Sequence, residues 1–270
     1  MFNLDFLVRV LWRTFLLEGW VDRSRFQLLA RGLEQASREQ NIKFAPRSSR
    51  SLTAIGTCED FSVHVALGWN RAAARDNDYG PHPWVTIAGP RIPQELVFAA
   101  ERGTGNDVLT GDTVFDDIVE VRSEGDPSIL LALLDRETRQ MVSDFVRLDG
   151  RLEAGRLVCC SPASFSSAEI VRVLRLGLWL ARKLSAPDSG VFERLARNAK
   201  WDPLPGVRLL NLLQLHEQFP ETPEARDASR EDLKDASPWV RLAAARFLKD
   251  EGLAVLEHLA QDRAVPESAA

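Results

Sequence analysis

The chain is poor in the residues that most often carry chemistry. Its 270 residues include three cysteines, four histidines, two methionines and one tyrosine. The odd, sparse set Cys58, Cys159 and Cys160 is no disulfide framework and suits a reducing, cytoplasmic compartment. Cys159 and Cys160 are adjacent in an expected strand, so their side chains point to opposite faces and make a poor pair for a shared metal. All three read as small buried hydrophobes. His64, His82, His216 and His258 are scattered, and none stands at ligand spacing from another His or a Cys. The sequence contains no Gly-x-Ser-x-Gly elbow, no P-loop and no dinucleotide fingerprint. These absences argue for a protein that is not an enzyme and needs no cofactor or metal. A net charge of −5 lacks the basic excess of a non-specific nucleic-acid binder, so nucleic acid is not an expected partner.

A long uncharged hydrophobic run is missing too. Met1–Trp20 is rich in Phe, Leu, Val and Trp, but Asp5, Arg9, Arg13 and Glu18 interrupt it. No charge-free run reaches the roughly 18 residues needed to span a bilayer, and the small-residue cleavage site of a signal peptide is lacking. Asp5, Arg9 and Arg13 are spaced four apart, which puts them in one stripe of a helix. The rest of that helix is apolar and must be buried. It can pack on its own domain, on a partner or on a membrane surface.

What is present is globular. Hydrophobic residues make up 45% and charged residues 27%, and the length suits two domains. Residues 24–40 carry apolar side chains at helical spacing. Phe61–Leu67 alternates in period two, as a half-buried strand does. Residues 70–83 read as a loop. Trp84–Ile87, Leu96–Ala99 and Phe115–Val121 are expected strands, and Leu152–Cys160, after the Asp149-Gly150 turn signal, is expected as a strand or a hairpin. Asp126-Pro127 starts a helix with Asp at the cap and Pro in the first turn, reaching toward Val142. Ser166 and Glu169 fit a capping box that opens a helix to about Leu184. The expected class is α+β: an antiparallel sheet with helices over residues 1–186, then an all-α region over residues 187–270.

That second region carries a pattern that occurs twice. Asp202-Pro-Leu-Pro-Gly-Val207-Arg208-Leu209 is echoed 33 residues on by Asp235-Ala-Ser-Pro-Trp-Val240-Arg241-Leu242. Arg follows Asp by six residues in both copies. Expected helices run over Val191–Ala199, Pro205–Phe219, Pro223–Leu233, Pro238–Lys249 and Leu253–Gln261. The Asp stands in the turn, where its carboxylate can cap the following helix. The Arg stands just inside that helix, where stacking can bring it to the Asp of a neighbouring unit and build a ladder.

On Asp202, Val207, Arg208 and Leu212, and on Asp235, Val240, Arg241, Leu242 and Ala244, the chain resembles the HEAT-repeat family in its short bacterial form. The resemblance covers under a third of the chain. It implies a helical solenoid used as a protein-interaction surface, with no shared catalytic residues. Two copies and the start of a third are expected, with Asp262 at the third turn and the apolar face of Leu253, Leu256 and Leu259 exposed at the end. Leu109-Thr-Gly-Asp-x-x-Phe115-Asp116, followed by Leu133-Leu134-Asp135-x-x-Thr138-Arg139, is similar to a segment of uncharacterised bacterial proteins that carry HEAT repeats after an α+β domain.

Two other strings are set aside. Gly103–Asp112 resembles one nonapeptide of calcium-binding β-rolls, which need several tandem copies, and is read as a tight turn. Asp112, Asp116 and Asp117 form an acidic cluster that can bind a cation in principle; turn capping and a solvated strand account for it. The expected function is a non-enzymatic adaptor or scaffold that binds a protein partner through its repeats. The expected contact residues are Trp239, Arg208, Arg241, Leu253 and Leu256, with Trp239 as the aromatic anchor. Arg208 and Arg241 have a second reading as ladder residues of the fold. The alternative function is a peripheral membrane adaptor held by residues 1–20.

Overall fold

The structure, a computed structural model, describes residues 27–45, 53–68, 82–101, 108–160, 166–185 and 190–261. The apolar segment 1–20, residues 103–107 and Asp262 lie outside the described residues. The class is α+β, with an antiparallel sheet in the first part and helices in the last.

Helix α1 covers residues 27–40. Strands follow at Lys43–Phe44 (β1), Thr53–Cys58 (β2), Phe61–Gly68 (β3), His82–Ala88 (β4) and Leu96–Ala100 (β5). A short helix α2, Thr113–Asp116, precedes β6, Val119–Ser123. Helices α3, Pro127–Leu133, and α4, Arg136–Arg147, lead to β7, Gly150–Glu153, and β8, Arg156–Cys160. The remainder is helical: α5 Ser167–Leu184, α6 Val191–Trp201, α7 Pro205–Gln218, α8 Pro223–Asp232, α9 Pro238–Leu248, a 3-10 turn over Lys249–Gly252, and α10 Leu253–Gln261. The eight strands order as β1-β2-β3-β4-β8-β7-β5-β6.

The chain divides into two compact units. The first takes residues 1–90, 148–150 and 157–179; the second takes 91–147, 151–156 and 180–270. The all-α region therefore falls in one unit with β5, β6, α2, α3 and α4.

In the first unit, alternation does the work. β2 buries every second residue, and the register sets Ala54 opposite Val65 and Cys58 opposite Phe61. On β3 and β4, Val63 faces Ile87 and Val65 faces Val85, all four buried. Leu29, Leu33 and Ala36 form the buried stripe of α1. Burying each large aliphatic side chain contributes about 1.5–3 kcal/mol before the entropy of ordering it. Cys159 is buried and donates to the Leu148 carbonyl, while Cys160 is half-buried, as opposite faces of a strand require.

One expected strand is corrected, and the segment read as a strand or a hairpin is a hairpin. Phe115 and Asp116 of Phe115–Val121 belong to the helix α2, because the Asp112 side chain accepts the Phe115 N–H and caps a helical turn. Only Val119 onward pairs with β5. Leu152–Cys160 is the hairpin β7–β8. Its two-residue turn, Ala154-Gly155, has φ of 46° and 66°. Positive φ at both positions is the mirror-image turn whose twist suits a hairpin. Asp149, with φ 56°, turns the chain from α4 into β7 instead. The expected helix after Asp126 is two helices. Asp126 caps α3 through the Ser128 N–H, and Asp135 then caps α4 through the Thr138 N–H and hydroxyl.

In the second unit, the helices after residue 190 match the expected spans to within two residues, and Pro205, Pro223 and Pro238 open α7, α8 and α9. Leu195, Ala199, Leu212, Leu215, Ala228, Val240 and Ala244 form one buried cluster. Leu131 and Ala132 of α3 belong to the same cluster, so α3 continues the helical packing.

Candidate interaction surface

The two copies of the repeated pattern are tied together at their charged residues. Arg208, in α7, grips Asp235 of the next turn in two parallel bonds: Nε to Oδ2 at 2.7 Å and Nη2 to Oδ1 at 2.8 Å. A guanidinium presents its N–H groups as a planar fork that matches both carboxylate oxygens. Arg208 also donates from Nη1 to the carbonyl of its own repeat aspartate, Asp202, at 2.7 Å. Burial pushes the Asp235 carboxyl up, but the bonds from Arg208 and the Ser237 N–H outweigh it and hold it below its ordinary value. The hydrogen bond to Asp235 raises the Arg208 guanidinium in turn.

The rung before this one was not legible as a repeat. Asp202 is held by Arg139 of α4, from Nη1 to Oδ2 at 3.0 Å and from Nη2 to Oδ1 at 3.1 Å. Arg139 is 2% exposed. Its Nε donates to Asp112 Oδ2 at 2.9 Å, and Nη1 also reaches the Leu134 carbonyl at 2.8 Å. So α3 and α4 supply the Arg for Asp202 as α6 and α7 supply it for Asp235. The signal was weak, since Arg139 follows Asp135 by four residues rather than six.

The repeat aspartates do not cap their helices directly. Asp202 Oδ1 accepts the Leu204 N–H and Asp235 Oδ1 accepts the Ser237 N–H, both two residues on. Leu204 and Ser237 occupy the cap positions, and neither side chain bonds a helical N–H. The carboxylates fix the turn and leave one edge for the arginine, as Asx turns do.

This geometry sorts the expected site residues. Arg208 is largely buried and spent on the ladder, which favours its structural reading. Arg241 donates from Nη1 to the carbonyls of Asp235 and Ala236, at 2.8 and 3.1 Å, and makes no ion pair among the described residues. Trp239 is 42% exposed and Leu253 52% exposed. Leu256 is half-buried, and Leu259 is buried rather than exposed. The last helix therefore turns Leu259 inward, and only Leu253 is a large exposed apolar residue there.

Two members of the acidic cluster are likewise spent, and Asp117 is exposed at the end of α2. Asp112 caps α2 with one oxygen and meets Arg139 with the other. Asp116 accepts the Thr110 hydroxyl at 2.7 Å and the Thr110 N–H. Burial raises the Asp116 carboxyl against those bonds. Among the described residues, no group of three or more His, Cys, Asp or Glu side chains is placed to hold a metal ion. No described helix is long and apolar enough to cross a membrane. His216 stacks on Phe247 with ring centroids 3.8 Å apart, and its Nε2 lies 2.6 Å from Ser229 Oγ. The Ser229 hydroxyl also lies 3.0 Å from the Ala225 carbonyl. Burial lowers the imidazole below its ordinary value, and His216 is a packing residue of α7.

Gly111 explains the most tempting string. Its φ is +84°, and a Cβ there would run into the Gly206 backbone at the start of α7. A Cβ on Gly206 would strike the Gly111 carbonyl in return. The first copy thus has Gly206 where a loop backbone presses on it. The second copy has Trp239 at the matching position, half-exposed.

Exposed apolar side chains gather beside these rungs. Leu109 (66% exposed) and Val114 (68%) flank Gly111-Asp112. Trp201 (73%) directly precedes Asp202, and Trp239 stands between Asp235 and Arg241. Trp201, the most exposed large apolar residue described, was missed from sequence. A tryptophan beside the repeat Asp, where the second copy has Lys234, was the available signal.

No protein-family model matches this chain, and neither do the curated proteins or the solved structures compared with it.

Proposed function

We propose that this chain is a non-enzymatic interaction protein whose C-terminal helices form a short HEAT-like array that binds a protein partner. One observation carries the reading: Leu109, Val114, Trp201 and Trp239 are all exposed within four residues of an Asp or Arg of the ladder. The charged groups of the ladder itself, Asp112, Arg139, Asp202, Arg208 and Asp235, are consumed by the fold, so its apolar and aromatic neighbours are what remains to meet a partner. Tryptophan is enriched among the residues that dominate interface energies. Two exposed tryptophans on successive turns are costly to leave in water and are well suited to anchor a partner. The contact set is thus Trp201, Trp239, Leu109 and Val114, with Arg241 at its margin and Leu253 farther along; Arg208 serves the fold.

The test is affinity capture with the full chain and with a Trp201→Ser/Trp239→Ser variant as baits, in an extract of cells that express the protein naturally. A specific protein retained by the first and lost from the second, at equal melting temperature, is the expected result. Retention of the same protein by both baits contradicts the assignment of this edge.

A further inference from the structure

A second candidate site lies along α6, one turn before Trp201. An open pocket of about 170 Å3 lies at the end of α3, beside the outer face of α6. Its charged lining is Lys183, Arg194 and Arg197 against a single acid, Asp135. Lys183 is already offset, with Glu137 at 3.2 Å and Asp135 at 3.7 Å. Asp135 is further occupied by the Thr138 N–H and hydroxyl. Arg194 and Arg197 have no side-chain hydrogen bond or ion pair among the described residues. Standing three apart on α6, they share a face, and two like charges so placed repel. Elsewhere in this unit Arg139 and Arg208 are each matched to a carboxylate fork, and half-buried Arg241 donates to two backbone carbonyls. Arg194 is half-buried and has neither. The floor beneath the pair is firm, because Asn198 is buried and tied to the Leu131 carbonyl at 3.1 Å.

We propose that this pocket binds a phosphate group through Arg194 and Arg197, with Lys183 at its rim. Size and charge select the ligand class. The volume lies below the roughly 300 Å3 from which pockets for whole drug-sized molecules start, so it takes a group rather than such a molecule. Two unpaired guanidiniums call for a doubly charged acceptor with several oxygens, and Arg forks bind phosphate bidentately. A dianion also removes the repulsion between the pair. The source is either the free ion or a phosphate ester on a larger ligand.

The test is a melting titration of the full chain with sodium phosphate and, separately, with phosphoserine, at ionic strength held constant with sodium chloride. A saturable rise in melting temperature with phosphate is expected, since a ligand that binds only the folded state stabilises it. An equal response to both ligands assigns the free ion, and a tighter response to phosphoserine assigns an ester. Arg194→Gln/Arg197→Gln is expected to weaken binding at least about tenfold while leaving the unliganded melting temperature level or higher. Arg197→Gln alone, at an exposed position, supplies the same readout should the double variant fold poorly. Arg246→Gln, exposed on α9 and outside the pocket, is expected to bind as the parent does. Absence of a saturable rise overturns the proposal. So does an equal rise in the Arg194/Arg197 variants.

Discussion

Replacing Arg139 by Met is expected to be the most damaging single change to a charged residue in the second unit. The guanidinium makes four hydrogen bonds, to Asp112, to both oxygens of Asp202 and to the Leu134 carbonyl. Methionine keeps much of the volume and none of the donors. Asp202, only 7% exposed, keeps the Leu204 N–H alone and is left as a buried charge. Removing one partner of a buried ion pair costs about 3–5 kcal/mol. For a unit of this size that corresponds to a fall of roughly 6–20 °C in melting temperature. Urea unfolding followed by circular dichroism reads the free energy, and the pair Arg230–Glu251 supplies the surface reference. Both of those side chains are about half exposed, and Arg230→Met is expected to leave stability nearly unchanged. Adding Asp202→Asn to Arg139→Met neutralises the orphan, so the double variant is expected to lose less than the sum of the two single losses. A loss below about 1 kcal/mol for Arg139→Met, or strict additivity in the double variant, would refute the reading of this rung.

Other outcomes follow from the same geometry. Gly111→Ala is expected to cost about 1–3 kcal/mol in urea unfolding from backbone strain alone, since φ is +84° and the Gly206 backbone blocks a Cβ; a neutral effect contradicts the close approach. Asp232, buried on α8 with Oδ2 unpartnered, is pushed up to about 7 by burial and then by the Asp235 charge. Its folded value exceeds the unfolded one, so the folded state holds the proton longer, and stability falls as pH rises from about 4 to about 7. Asp232→Asn should remove that fall and stabilise the protein at pH 8, as read from melting curves across pH; an unchanged pH profile counts against it. His216 carries the opposite slope, because its lowered value means stability is full above the ordinary imidazole range and is lost as pH falls below it. His216→Phe should flatten that acid limb. Cys159, whose thiol burial pushes up to about 12, is expected to resist alkylation by iodoacetamide at pH 8 until the protein unfolds; rapid native labelling at that residue refutes its burial.

How much of this was readable in the residues depends on the physics involved. The helices after residue 190 were placed well because capping prolines, a fixed 33-residue period and helical spacing all agree. The Arg–Asp ladder was legible as a possibility, since both residue types recur at one offset. Its partner Arg139 was not, because the α3–α4 pair departs from that offset and only packing reveals the rung. Strand β2, Thr53–Cys58, gave little signal: its buried positions are Ala54, Gly56 and Cys58, too small to register as an apolar stripe. The strand expected at Phe115 failed for a different reason. Apolar residues stand at 115, 118, 119 and 121, but a local hydrogen bond from the Phe115 N–H to Asp112 favoured one helical turn first. The exposure of Trp201 was beyond composition, which treats a tryptophan as core until a surface says otherwise. The Gly111–Gly206 approach joins two segments 95 residues apart, and no local pattern encodes it.

The central claim is that the ladder edge, rather than another face, meets the partner. A photocrosslinking side chain placed in turn at positions 201, 239 and 55 tests it most directly. Ile55 is 61% exposed and apolar but belongs to the first unit, so it controls for exposure alone. Positions 201 and 239 are expected to capture one and the same protein from the natural extract, and position 55 to capture nothing specific. Capture from position 55 equal to that from 201 and 239, or none from either tryptophan site, contradicts the claim.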